Sequence, residues 1–125
     1  MLMQANRLKK KTDIERVFTH GTFFRAKGVN VVLWKKGHLL QPERGYTADD
    51  LKFAVVVPKK YEKSAVRRNI LKRRVREALR LLIKEQNCAT GVLGVAMVQA
   101  SAKEMTVVQI KEALTQLFKK AKLIV

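Results

Sequence analysis

The chain has 125 residues, the size of one ordinary domain, and 47% of them are apolar, enough to build a core. Its charge is lopsided: 27 Lys and Arg against 10 Asp and Glu give a formal net charge of +17. Such a field favours polyanions, either nucleic acid or an anionic membrane surface. The single cysteine, Cys88, excludes an internal disulfide and a cysteine-built zinc site, and His20 and His38 have no ligand-like spacing to it.

The order of elements is read from the N-terminus. Residues 1–11 form a basic lead-in with Arg7, Lys9, Lys10 and Lys11, and contain no apolar stretch of the kind a signal peptide needs. "TDIERVFTHG" reads as a short helix, with Thr12 and Glu15 as a capping box, Ile14, Val17 and Phe18 on one face, and Gly21 as its stop. "VNVVLWK", residues 29–35, is a β-strand. Val29, Val31 and Leu33 give it an apolar face, and Asn30, Val32 and Trp34 give it a mixed one. Residues 37–50, with Gly37, Pro42 and Gly45, read as a long loop.

"LKFAVVV", residues 51–57, is the second strand and Pro58 ends it. A basic helix follows from about Ser64 to Glu85. "VLGVAMVQ", residues 92–99, is a near-continuous apolar run, as expected at the centre of a sheet. The closing segment is a helix capped by Thr106, with Ile110, Ala113, Leu114, Leu117 and Phe118 as its apolar stripe. The expected fold is therefore α+β: a single domain over 1–125, with a small sheet of three or four strands and three helices in the order α-β-β-α-β-α. The helices are expected on one side of the sheet.

"VRRNILKRRVREALR", residues 66–80, carries the most information. At about 100° per residue, Leu71, Val75, Ala78 and Leu82 gather on one side, which should face the sheet. Asn69, Arg73, Arg76 and Arg80 gather on the opposite side within about 60°, with Lys72 beside them. Over residues 59–80 there are ten basic residues against two acidic ones, Glu62 and Glu77, too few to neutralise the face by ion pairing. Planar guanidinium forks in a row match phosphate oxygens, and Asn69 offers both a donor and an acceptor. A membrane-surface helix is disfavoured, because the apolar side is committed to the sheet. No apolar run approaches the span of a bilayer.

This segment resembles the signature helix of the protein subunit of bacterial ribonuclease P. The resemblance rests on Ala65, Val66, Arg68, Asn69, Lys72, Arg73, Arg76, Glu77 and Arg80. "RLKKKTDIERVFTHG", "FAVVVPKK" and "TQLFKKA" are similar to the family's opening helix, lysine-ended strand and closing helix. The chain departs at Ile70, where the family usually carries the second Arg of Arg-Asn-Arg, and in its longer 37–50 loop.

The resemblance implies a βαβ crossover of the left-handed family type. It also implies a protein cofactor of a catalytic RNA that removes the 5′ leader of precursor tRNA with Mg²⁺ held mainly by RNA. The partners implied are the ribonuclease P RNA and precursor tRNA, with no membrane and no small-molecule substrate, in the cytoplasm. By this resemblance Lys59, Lys60, Arg67, Arg68, Asn69, Lys72, Arg73, Arg76 and Arg80 bind the RNA subunit. Phe18, Asn30, Val32 and Trp34 bind the leader, in a cleft between the first helix and the open sheet face. No catalytic or metal-ligating protein residue is expected: the sequence has no paired-carboxylate motif, Ser-His-Asp order or Gly-rich phosphate loop. His20 reads as a cation at a helix end rather than a general base. The alternative is another RNA-binding protein, such as a ribosomal protein, with no part in tRNA processing.

Overall fold

A computed structural model describes residues 6–9, 11–35, 51–86 and 88–124. The 37–50 loop of the sequence reading lies outside the described residues. Helix α1 spans Lys11–His20. Thr12 and Glu15, expected as a capping box, both lie within it. Asp13, in its first turn, is buried. The Gly21 amide donates to Val17 O at 2.7 Å as the helix ends.

Strand β1, Thr22–Arg25, was not expected as a separate strand; it forms a hairpin with β2, Val29–Lys35. The turn between them needs Gly28, whose φ of +85° puts it in the left-handed region. Strand β3 is Leu51–Val56, and α2 is Ala65–Glu85. Ser64 caps α2 by accepting from the Arg67 amide at 3.3 Å. Strand β4, Val92–Val98, is followed by a 3-10 segment, Ala100–Glu104, and by α3, Val107–Lys120. The expected Thr106 cap is present as a reciprocal box: the Gln109 amide donates to Thr106 Oγ1 at 3.2 Å, and the Thr106 amide donates to Gln109 Oε1 at 2.9 Å.

The sheet order is β1-β2-β4-β3. β2 runs antiparallel to β1 and β4, whereas β3 and β4 are parallel, so α2 is the crossover that joins them. On one face Val29, Val31, Leu33, Phe53, Val55 and Ala96 pack beneath Leu71, Val75, Ala78, Leu79 and Leu82 of α2 and Ile110, Leu114, Leu117 and Phe118 of α3. Each fully buried Leu or Phe here contributes about 1.5–3 kcal/mol of transfer free energy. Gly94 makes room at the centre: a Cβ there would lie 2.5 Å from Phe53 Cε1. The Phe53 ring in turn stacks on Phe118 at 5.5 Å between centroids.

The other face is not bare. Val32, Trp34, Ala54, Leu93 and Val95 form a second apolar cluster with Leu8 and Val17, against which Ile14 and Phe18 pack. The helices therefore lie on both sides of the sheet, α2 and α3 on one and α1 on the other. This corrects the expectation of one-sided cover. The physical reason is that the face of β2 carrying Val32 and Trp34 is too apolar to leave in water, and α1 brings the matching side chains.

Candidate nucleic-acid interface

The outer side of α2 is built as its periodicity predicts. Leu71, Val75, Ala78 and Leu82 are buried, which turns the cationic row outward. Asn69 and Arg73 are exposed, and Lys72, Arg76 and Arg80 are half-buried. Burial, then the neighbouring guanidinium groups of Arg7 and Arg73, push the Arg76 pKa down from its ordinary value. Like charges gathered this way are relieved by an anion.

Arg7 is the member that sequence reasoning missed. The N-terminal segment runs beside β3, with the Leu8 amide donating to Phe53 O at 2.9 Å and Asn6 Nδ2 donating to Leu51 O at 2.8 Å. That pairing carries Arg7 and Lys9 to a cleft shared with Arg76. A basic segment ahead of the first helix was the only signal, and it gave no address.

The other cations of the predicted set have distinct surroundings. Arg80 is engaged by Glu77: Nε donates to both carboxylate oxygens at 3.1 Å, and Nη2 lies 2.5 Å from Oε1. Arg80 holds the Glu77 carboxyl down at about 2, well below the usual range. Arg68 reaches back over the turn before α2, its Nη1 donating to Lys63 O at 2.8 Å and Glu62 O at 3.1 Å. Arg67 is exposed, as are Lys59 and Lys60 on the turn leading into α2, where Lys60 Nζ lies 4.9 Å from the centroid of Tyr61.

A second surface lies on the sheet face that α1 only partly covers. The register sets Arg25, Asn30, Met97 and Val56 in one row across the strands, and Phe23, Val32, Val95 and Ala54 in the next. α1 covers the second cluster but leaves the first row half open, with Arg25 exposed and Asn30, Met97 and Val56 partly buried. Phe18 of α1 and Phe23 of β1 border it with ring centroids 6.4 Å apart, and Phe23 is 51% exposed.

Of the residues expected to touch a leader, Phe18 and Asn30 therefore lie at this open surface. Val32 and Trp34 do not: they are 0% and 9% exposed beneath α1, and His20 stacks on Trp34 at 5.0 Å. α1 covers the Trp34 ring. Phe23, Arg25 and Met97 take the open positions. The pairing of β1 with β2 and of β2 with β4 brings them together.

An exterior guanidinium row beside an open sheet face edged with aromatic rings defines an RNA-binding α+β domain. The family model described as Ribonuclease P matches residues 2–122. A ribonuclease P protein component from Microcystis aeruginosa is 32% identical over 123 residues, covering 98% of this chain and 96% of the relative. One from Picosynechococcus sp. is also 32% identical, over 84 residues that cover 67% of this chain and 64% of the relative. The fold is that of the Staphylococcus aureus RNase P protein, at a TM-score of 0.73, 24% identity and coverage of 98% of this chain and 100% of that one. It is equally that of the RNase P protein from Thermotoga maritima, at a TM-score of 0.72, 24% identity and coverage of 92% and 96%. The chain belongs to the ribonuclease P protein family.

Proposed function

We propose that the chain docks the catalytic RNA of ribonuclease P through the outer face of α2 and holds the 5′ leader of precursor tRNA on the open sheet face. Family membership supports its place as a subunit of this endoribonuclease. The observation that carries the docking part is the cleft shared by Arg7, Lys9 and Arg76, with the exposed Arg73 one turn from Arg76 on the same helix. Asn69 and Lys72 extend that surface along the helix, and Lys59, Lys60 and Arg67 extend it past the helix start. Arg68 and Arg80 enter with partners of their own, so Arg68 braces the entry to α2, and Arg80 meets phosphate beside Glu77.

On the sheet face, Phe18 and Phe23 offer surfaces on which unpaired bases stack without a sequence requirement. Asn30 and Arg25 lie in the adjoining row, where they reach the sugar–phosphate backbone. Val32 and Trp34 support this floor from below. The phosphodiester chemistry is assigned to the RNA, and Mg²⁺ supplies charge stabilisation there. Among the described residues no group of three or more His, Cys, Asp or Glu is placed to hold a metal ion, and the protein's part is to bind and orient. The complex is assigned to the cytoplasm; among the described residues no helix is long and apolar enough to cross a membrane.

The test pairs the purified protein with its RNA subunit. At low Mg²⁺ the protein should lower the Mg²⁺ requirement for cleavage and tighten precursor tRNA binding far more than mature tRNA binding. Equal tightening of both tRNAs overturns the leader assignment. No effect on cleavage overturns the function and returns the chain to the wider class of RNA-binding proteins.

A further inference from the structure

Ile70 is an apolar side chain on the outer half of a helix crowded with cations, and it is 42% exposed. Val66, one turn earlier on the same side, is 70% exposed. The pair forms an apolar strip next to Arg73. Beyond the strip lies a cleft of about 280 Å³ between α2 and the 3-10 segment, lined by Glu62, Arg67, Ile70, Leu71, Arg74 and Lys103.

The walls of this cleft are held in place. Glu62 Oε1 accepts from the Ser64 amide at 3.1 Å, and Oε2 pairs with Lys103 Nζ at 3.3 Å. Arg74 Nη1 donates to Lys103 O at 3.3 Å, which ties α2 to the 3-10 segment. The Glu62 side chain is only 11% exposed, so its carboxylate is fixed within the wall. The floor is aliphatic, from Ile70 and Leu71, while three cations stand at the rim and wall around one carboxylate.

We propose that this cleft takes one unpaired guanine from an RNA strand lying across α2. The inference rests on the RNA-docking reading given above and adds a base-selective site to it. A purine ring lies flat on Ile70 and Leu71, and the flanking phosphates meet Arg67, Arg74 and Lys103. The Watson–Crick edge of guanine presents two adjacent donors, N1–H and N2–H, to the Glu62 carboxylate. Each carboxylate oxygen keeps a further lone pair for them after its present partner is counted. Adenine, cytosine and uracil set an acceptor beside the donor on that edge, so a carboxylate meets repulsion at one of its oxygens. An arginine at position 70, as the family resemblance leads one to expect, would project a fourth cationic chain into this neighbourhood in place of the apolar floor. Isoleucine exchanges a phosphate contact for a base contact.

The experiment uses the full chain and five probes: GMP, AMP, CMP, UMP and inorganic phosphate, titrated while backbone amide shifts are followed. GMP should perturb the amides of Ile70, Leu71, Arg74 and Lys103, with an affinity about tenfold above that of AMP, the worth of one charge-assisted hydrogen bond. Glu62→Gln retains an acceptor for the Ser64 amide and should bring the GMP-to-AMP ratio close to one. Ile70→Arg should abolish the GMP pattern at the cleft while the shifts of the buried core stay in place.

If inorganic phosphate alone reproduces the GMP pattern, or Glu62→Gln leaves the base preference intact, the proposal is overturned. Equal binding of all four nucleotides also overturns it. Stimulation of precursor tRNA cleavage by the wild-type chain is measured in parallel. A protein that stimulates cleavage yet shows no guanine preference loses only this inference, and one that does not stimulate at all loses the functional reading itself.

Discussion

The outer face of α2 and the open face of the sheet are two surfaces of one small domain and use different chemistry. The helix presents guanidinium groups at fixed spacing, with Arg73 outermost and Arg76 turned toward Arg7. The sheet presents ring surfaces and one row of mixed side chains, with Phe18 and Phe23 at its border. A cation row binds by releasing counterions, so its affinity falls steeply with salt. A stacking surface binds through contact with base faces and tolerates salt better, because fewer phosphates are neutralised there. The contrast teaches that the net charge of +17 marks only one of the two surfaces. The other leaves almost no trace in composition, since aromatic residues make up just 6% of the chain.

The largest expected effect tests the helix side. Arg73→Ala combined with Arg76→Ala should weaken binding of the RNA subunit by about a hundredfold or more, from two charge-assisted contacts at about 1.5–3 kcal/mol each. Filter binding across a salt series should also show a slope shallower by about 0.7–0.9 per lost phosphate contact. An unchanged slope would place the RNA elsewhere.

Next comes the sheet side. Phe18→Ala with Phe23→Ala should reduce the preference for precursor over mature tRNA by about tenfold, given about 1–3 kcal/mol per stacked base. RNA-subunit affinity measured on the same variant should stay within error; if both drop together, the two surfaces are not separate.

A smaller effect isolates the scaffold beneath both. Thr106→Ala removes one half of the α3 capping box and should cost about 1 kcal/mol in urea denaturation. The ratio of precursor to mature tRNA affinity should not move, whereas a shift would mean that α3 shapes a binding face.

The smallest effect concerns Glu77. Its carboxyl is held down at about 2 by Arg80, from an ordinary value of 4.5. A depressed carboxylate stabilises the fold fully above its ordinary pKa and loses that contribution as pH falls toward its folded value. Denaturation midpoints of the wild type and Glu77→Gln should therefore differ slightly near neutrality and converge as pH falls to about 2. The pair is partly exposed, so added salt should shrink the difference.

Much of the α2 face was legible because a helix buried on one side has to repeat its apolar residues, and Leu71, Val75, Ala78 and Leu82 do so without interruption. The Thr106 cap was legible for an equally local reason, since its partner Gln109 is three residues away. Strand β1 was not legible. Four residues, two of them adjacent phenylalanines, show no alternation, and the strand exists through its pairing with β2. The burial of Trp34 was hidden too, because an aromatic residue on a mixed strand face gives no sign of whether a helix will cover it. Arg7 illustrates the same limit over a longer distance: it reaches Arg76 only after its segment has paired with β3.

The place of β4 between β2 and β3 governs when the molecule can come together. Val29 pairs with Val98, and Leu51 pairs with Val92, so every strand contact in the middle of the sheet waits for a segment made late in the chain. Until β4 arrives, the β1–β2 hairpin and β3 have no common partner. Contacts between such distant positions are slow to form, because a long loop has to close before any of them is gained. During that interval α2 has already been synthesised, cationic along one side and with its apolar side unburied. A polyanion met at that moment would find the helix before the sheet exists to receive it, so the order of synthesis makes the RNA a competitor for, or a companion to, the folding of its own partner.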